Sequence, residues 1–593
     1  MMLRTLETTV RCHFSTRNLF LFVLCIMVSS SQGLANAASS STPPIVYTIA
    51  GSDSGGGAGI QADLHAIQAL GCHGCSAITC LTAQNSVAVT AVHTPPVSFL
   101  LEQLDALLSD LPPVAIKVGM LATRELAETV GGFLQRLRNN SKSNVFVVLD
   151  PVMISTSGSR LLDDDAQTAL ITAVFPHVDL ITPNKYEAEA LWGRKIESDA
   201  DAQEAARYLL GLMGEGKTVM IKGGHSSDVT MASDYLLSNI PSENDEARLC
   251  DCSDGGLWLH TPRRDTIHTH GTGCTLSASI AAAMALRRTA TNGAYAAMTV
   301  VDACCLAKAY VTAGIAQAVP LGQGPGPVAQ TSSEQSLLAP YFPSLTPGAA
   351  TTLPPFRSMQ RPSSSSSADT IGRLLPIVDS KEWVARLCRI AAAASIRDIQ
   401  LRIKDNAILS DSTKLHQIVQ ECQDLCATAG VRLWINDHWQ AAVAAGCYGV
   451  HLGQEDLYRA LMQPNSEFVQ KSQDMALGVS THSFGELAAA LAVRPSYISL
   501  GPIQATGSKR VAFAPQGMDV LATWRRLVAE DIPLVAIGGL QDATDCARAH
   551  RAGADCAAVI GAITQHNTDE DSIVREAREL NAAMGGEERV VKD

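Results

Sequence analysis

Along the chain, short apolar runs alternate with helical stretches, and the rhythm of that alternation changes once. In the first half the apolar runs are Ile45 to Ala50, Ser76 to Thr82, Ala115 to Val118, Val145 to Leu149, Leu180 to Thr182 and Val219 to Ile221. This alternation predicts βαβ units on a mostly parallel sheet. From Leu374 a tighter series begins, with Leu374 to Val378, Ile399 to Ile403, Leu433 to Asn436, Gly449 to Leu452, Leu477 to Ser480, Tyr497 to Leu500, Leu534 to Ile537 and Ala557 to Ile560. Eight strands separated by helices predict a (β/α)8 barrel, in which the polar residues following each strand meet at one mouth.

Between the two series, Leu321 to Asp369 is rich in Pro, Gly, Ser and Thr and ends in Ser363 to Ser367, a composition that cannot bury a core. The expected organisation is a leader over 1–40, an α/β domain over 41–322, a flexible linker over 323–371, a barrel over 372–585 and a tail over 586–593. Such a linker implies no fixed alignment of the two halves. The polar stretch from Ser238 to Gly256 reads as a loop inserted into the first domain.

Composition narrows the picture. At 593 residues the chain is too long for one core, and 46% hydrophobic with 17% charged residues is a globular balance. A net charge of -13 argues against a nucleic-acid partner. The 16 cysteines lack the regular spacing of a disulfide scaffold, so Cys72-His73-Gly74-Cys75 reads as ordinary buried thiols. At the N-terminus Arg4, Arg11 and Arg17 precede an apolar run from Leu19 to Val28, and Ala35-Asn36-Ala37 offers a cleavage site. The run is too short to span a bilayer, so no stable membrane insertion is expected. Import into a plastid or another organelle is the reading adopted, with the cytoplasm as the alternative.

Candidate chemistry follows the strands. Gly51-Ser52-Asp53-Ser54-Gly55-Gly56-Gly57-Ala58-Gly59 sits between a strand and a helix, yet lacks the spacing of a Walker or dinucleotide loop. His270-Gly271-Thr272-Gly273-Cys274-Thr275 opens an Ala-rich helix, where successive backbone N–H groups and the dipole suit a phosphate and are expected to depress the pKa of Cys274. In the second half, Arg402 and Lys404 at alternate positions of a barrel strand call for an anionic partner. Asn436-Asp437 and Gln454-Glu455-Asp456 follow two consecutive strands as carboxylates suited to Mg²⁺, and Gly538-Gly539 offers N–H groups to a phosphate.

The segments Thr48 to Asp63, Leu81 to Asn85, Lys117 to Leu121, Leu149 to Met153, Thr182 to Glu187, Lys222-Gly223-Gly224-His225 and His270 to Cys274 together closely resemble the hydroxymethylpyrimidine/phosphomethylpyrimidine kinases of the ribokinase-like superfamily. That resemblance implies a three-layer α/β/α domain that phosphorylates the pyrimidine alcohol and its phosphate with ATP. It implies that Gly51, Asp63, Gln84, Met120 and Val152 hold the pyrimidine, and that Asp150, Asn184, Glu187 and Lys222 serve Mg²⁺ and the nucleotide. Gly271, Gly273 and Cys274 would supply the anion hole and the base. Leu374 to Asp379, Gln400 to Asp405, Ile435 to Asp437, Gly449 to Asp456, Gly478 to His482 and Ala536 to Gly539 resemble thiamine-phosphate synthase. By that resemblance Gln400, Arg402, Lys404, Asn436, Ser480, Thr506, Ser508, Lys509 and Gly539 bind the pyrimidine diphosphate and thiazole phosphate, while Asp437 and Asp456 hold Mg²⁺. Gly561 departs from the Ser usual in that family, which leaves one phosphate contact to the backbone. The partners expected are small molecules, with a homo-oligomer also in view. Two other readings stay open: a pyridoxal or salvage kinase in the first half, which Gln84 and Met120 disfavour, and a catalytically dead scaffold, which Cys274, Asp437 and Asp456 disfavour.

Overall fold

The computed structural model describes residues 42–140, 144–153, 164–223, 230–240, 256–290, 293–347, 355–362, 369–461, 467–471, 473–505, 514–565 and 569–585. The first sheet is built from β1 (Ile45–Asp53), β2 (His73–Gln84), β3 (Val89–His93), β4 (Ala115–Val118), β5 (Phe146–Leu149), β6 (Leu180–Ile181), β7 (Thr218–Ile221), β8 (Met231–Ser238), β9 (Leu257–Pro262) and β10 (Ser344–Pro347). Its order is β10-β9-β8-β7-β6-β5-β4-β1-β2-β3. Neighbours from β2 across to β7 run parallel, whereas β3, β8, β9 and β10 are antiparallel additions at the two edges. The central strands are apolar because both faces are covered by helices. β4 to β7 are buried along nearly their whole length.

The second unit is a closed barrel of β11 (Leu374–Val378), β12 (Asp398–Leu401), β13 (Arg432–Asn436), β14 (Gly449–Leu452), β15 (Ala476–Thr481), β16 (Tyr497–Leu500), β17 (Leu534–Ile537) and β18 (Cys556–Val559), every neighbour parallel. Leu375, Ile377, Trp434, Ala476, Tyr497, Val535, Cys556 and Ala558 fill its interior, so it is a packed core, as the fold requires. The helices that matter below are α1 (Gly59–Ala69), α2 (Lys185–Trp192), α3 (Thr272–Leu286), α4 (Val300–Ala316), α5 (Gln454–Leu461), α6 (Phe484–Val493) and α7 (Gly517–Leu527). Among the described residues no helix is long and apolar enough to cross a membrane.

One expectation fails here. The described parts of 323–371 are not a loose tether: β10 pairs with β9, and Phe342, Leu345, Phe356 and Met359 are buried. Met359 belongs to the interior cluster of the barrel, and the Arg357 N–H donates to the Met475 carbonyl just ahead of β15, so this segment closes the N-terminal end of the barrel. The two halves also pack directly, α4 against α6, with the Tyr295 and Phe484 rings 5.2 Å apart. The Pro/Ser-rich composition concealed this because a few well-spaced large apolar side chains are enough to anchor a polar segment. As expected, Cys72 and Cys75 are buried thiols, and burial pushes Cys72 up to about 12. Of the expected inserted loop, 241–255 lies outside the described residues.

Two candidate active sites

In the first domain the chain ends of β1, β2, β4, β5, β6 and β7 all open into one cleft of about 610 Å3. β2 and β4 lie on opposite sides of β1. This reversal of strand order is where open α/β sheets leave a crevice outside the carboxyl ends of their strands. Gly51, Gln84, Met120, Asp150, Val152, Asn184, Glu187, Lys222, Gly271, Gly273 and Cys274 all line it. Segments more than 200 residues apart in sequence therefore converge.

The glycine-rich turn is organised around a residue to which sequence reasoning gave no role. Asp53 accepts from the N–H groups of Gly55 (2.8 Å), Gly57 (3.1 Å) and Ala58 (2.9 Å), and lies 3.1 Å from His270 Nε2. Burial works against its charge, but the bonds from His270 and the turn outweigh it and hold Asp53 below the usual carboxylate range. A side chain at Gly57 would strike the His270 ring, and one at Gly271, whose φ is 80°, would strike the Gly57 carbonyl oxygen. The two glycine-rich motifs thus interlock, which aims the first turn of α3 into the cleft.

At the floor, Asp63 of α1 is fully buried and does not line the cleft. One of its oxygens receives Lys117 Nζ (2.7 Å) and the Thr48 hydroxyl (2.6 Å), while Oδ1 has no partner. Lys117, itself buried, is a further residue that the sequence motif contained but whose role it did not reveal. It faces Cys274 electrostatically. The expected depression of the Cys274 thiol is overturned: burial pushes it up to about 11, and the pull of Lys117 only partly offsets this. A helix N-terminus lowers a thiol pKa where the thiolate stays solvated, whereas here desolvation is the larger effect.

Asn184 and Glu187 form a capping box at α2, in which the Glu187 N–H donates to Asn184 Oδ1 (2.9 Å) and the Asn184 N–H to Glu187 Oε2 (2.7 Å). Glu187 is nonetheless pushed up to about 7, by burial first and by the charge of Asp150, against the pull of Lys222. Asp150 in turn accepts from Lys222 Nζ at 2.6 Å. Two crowded carboxylates with hard oxygen donors fit a divalent cation such as Mg²⁺, which is commonly held by one or two carboxylates together with substrate phosphates. No cluster of three or more ligating side chains occurs among the described residues.

In the barrel, Gln400, Arg402, Asn436, Asp437, Ser480 and Gly539 lie at or just after the C-terminal ends of β12, β13, β15 and β17, the catalytic end of this fold. β12 ends at Leu401, so Arg402 and Lys404 lie in the loop beyond it, where both line a cavity of about 210 Å3. Gln400 donates to Asn436 Oδ1 at 2.7 Å, while Gln400 Oε1 and Gln454 Oε1 are buried without partners. Asp437 adopts φ 67°, a strained geometry for a non-glycine residue. Asp456 sits in the first turn of α5, after the strand adjacent to that of Asp437, and pairs with Arg459 at 3.2 Å. His451, quoted in the motif but given no role, lies 2.8 Å from both the Tyr497 hydroxyl and Ser480 Oγ. Gly538 and Gly539 have φ of 88° and 78°, a backbone that only glycine adopts readily and that turns N–H groups toward an anion. Gly561 opens a short helix over Gly561–Thr564. Thr506, Ser508 and Lys509 lie outside the described residues.

Comparison with known proteins agrees with this division. The family model described as phosphomethylpyrimidine kinase matches residues 53–329, and that described as thiamine monophosphate synthase matches 374–563. A probable thiamine biosynthetic bifunctional enzyme, chloroplastic, of Oryza sativa subsp. japonica is 31% identical over 520 residues, covering 85% of this chain and 83% of that protein. A hydroxymethylpyrimidine/phosphomethylpyrimidine kinase of Synechococcus elongatus is 40% identical over 287 residues, covering 48% of this chain and 96% of that protein. A pyridoxal kinase of Staphylococcus aureus solved with ADP is 28% identical, with a TM-score of 0.41, over 49% of this chain and 95% of that one.

Proposed function

The chain belongs to the bifunctional thiamine-biosynthetic enzymes, with a hydroxymethylpyrimidine/phosphomethylpyrimidine kinase joined to a thiamine-phosphate synthase, and on that premise we propose how its own residues divide the work. In the kinase cleft Gly51, Gln84, Met120 and Val152 receive the aminopyrimidine, two by hydrogen bonding and two as an apolar wall. Asp63 acts from beneath, through its ion pair with Lys117. Cys274 Sγ, as the thiolate, takes the proton of the substrate hydroxyl as that oxygen attacks the terminal phosphorus of ATP and the bond to the bridging oxygen breaks, releasing ADP. The backbone N–H groups of Gly271 to Cys274 and the Lys222 ammonium stabilise the transferring phosphoryl group. Asp150 and Glu187 would hold Mg²⁺, which supplies charge neutralisation of the phosphates when bound.

In the barrel Gln400, Arg402, Lys404 and Asn436 grip the pyrimidine diphosphate, and Asp437 and Asp456 would hold Mg²⁺, which supplies charge neutralisation of the diphosphate when bound. The bond from the pyrimidine methylene to the diphosphate oxygen breaks, and its electron pair leaves with pyrophosphate. The resulting cation is stabilised by the ring amino group, and the thiazole nitrogen lone pair closes the carbon–nitrogen bond. No protein nucleophile is needed, so the barrel residues only stabilise the leaving group, seat the thiazole phosphate at Ser480 and Gly539, and exclude water. Thr506, Ser508 and Lys509 complete these phosphate sites. We also read the N-terminal basic and apolar segment as an organelle address.

The observation that carries this assignment is the convergence of Gln84, Asp150, Lys222 and Cys274 on one cleft. The test supplies purified protein with hydroxymethylpyrimidine, thiazole phosphate, ATP and Mg²⁺. Cys274→Ala stops thiamine phosphate formation and is rescued by added pyrimidine diphosphate, whereas Asp437→Ala is not rescued. Identical responses of the two variants would refute the division of labour.

A further inference from the structure

The kinase half reaches into the synthase half at one buried carboxylate. Asp302 opens α4 and is fully buried. Its Oδ2 accepts from the Thr299 N–H and hydroxyl, both at 2.7 Å, in the capping box of α4 itself. Its Oδ1 accepts from the Gly485 N–H, at 2.6 Å, in the first turn of barrel helix α6, and the Ser483 hydroxyl bonds to the same carboxylate. One side chain thus caps two helix N-termini, one from each enzyme. The capped turn follows directly on Ser480-Thr481-His482, which leaves the C-terminal end of β15 at the synthase mouth. Further contacts fix the same segment: Tyr295 packs edge-on against Phe484, Gln516 Nε2 donates to the His482 carbonyl at 3.1 Å, and Trp524 Nε1 donates to Thr481 Oγ1 at 2.9 Å.

We infer that Asp302 is a positioning residue for the synthase reaction, contributed by the kinase half, which holds the Ser480–Ser483 loop in the geometry that receives the phosphate-bearing substrates. This rests on the assignment of Ser480 to the synthase site. The coupling is structural and needs no kinase turnover. Loss of the Oδ1 contact frees the loop at its helix end, and misplacement of a positioned phosphate ligand by an ångström is costly.

The experiment compares Asp302→Ala, Asp302→Asn and Thr299→Ala in the full chain, assaying each half-reaction separately, with Ser480→Ala as the reference. Asp302→Ala is expected to raise the synthase KM for thiazole phosphate about tenfold, with kinase kcat/KM within about threefold of wild type. Asp302→Asn, which keeps an acceptor oxygen, restores most of the loss. Thr299→Ala removes the α4 cap on the kinase side alone and leaves the synthase KM unchanged. Hydrogen exchange adds a readout independent of turnover: amides of 480–486 exchange faster in Asp302→Ala while the rest of the barrel does not. If Asp302→Ala leaves the synthase KM and this exchange unchanged while Ser480→Ala impairs the reaction, or if Thr299→Ala reproduces the defect, the inference fails alone. If Ser480→Ala is harmless, the assignment of Ser480 fails and the inference falls with it.

Discussion

At Cys274 two influences oppose each other. Burial holds the thiol protonated up to about 11, and the Lys117 ammonium pulls it down. A base with a raised pKa gives up its own proton only at higher pH and is more often in the competent thiolate form as pH rises. Kinase kcat/KM is therefore expected to climb through pH 8 and 9. Cys274→Asp should move that rise toward acid, because a carboxylate ordinarily titrates near about 4. A pH profile that is flat in both proteins would contradict the role of Cys274. Glu187 makes the complementary case. Burial and Asp150 raise it to about 7, so it carries its proton, and offers a weaker metal ligand, below that pH. The Mg²⁺ concentration for half-maximal kinase rate should rise as pH falls from about 8 to 6, and Glu187→Gln should abolish that dependence.

Among the elements, the interlock of the two glycine-rich turns sets where α3 points. Gly271 combines a left-handed φ with contact to the Gly57 carbonyl, so Gly271→Ala forces both strain of about 1 kcal/mol or more and a displacement of the phosphate-binding turn. Kinase activity should fall at least about a hundredfold while the synthase half-reaction stays normal. Equal loss in both would mean a global folding defect instead. Strand elements were legible where burial on both faces leaves a mostly apolar run: β4, β11, β14, β16 and β17 have the bounds the sequence predicts. β3, β8, β9 and β10 were not foreseen. They are antiparallel edge additions: β3 is largely exposed on both faces, whereas β8 and β9 are mostly buried but carry the buried polar residues Ser233, Asp234, His260 and Thr261, which interrupt an apolar signature.

At the scale of the whole molecule, the two enzymes share a packed interface. Tyr295 and Phe484, the Asp302–Gly485 bond and the packing of β10 against α6 join them. A single calorimetric transition is expected for the full chain, shifted upward by ATP with Mg²⁺ even when followed through barrel signals. Two separated transitions, with only one responding to nucleotide, would show that the interface is too weak to couple them.

Sequence by itself determined which chemistry follows which strand. Backbone periodicity and the residue types after each strand are local properties, so Arg402, Asn436 and Asp437 could be placed in order without coordinates, while Asp150, Asn184 and Lys222 came from the resemblance of their segments to known kinases. Tertiary structure alone decided the ionisation of Cys274 and Glu187, the partnership of Asp63 with Lys117, and the docking of the halves. Each of these depends on desolvation or on a contact between distant residues, such as the 183-residue separation of Asp302 and Gly485. Neither is written in the local pattern of any one segment.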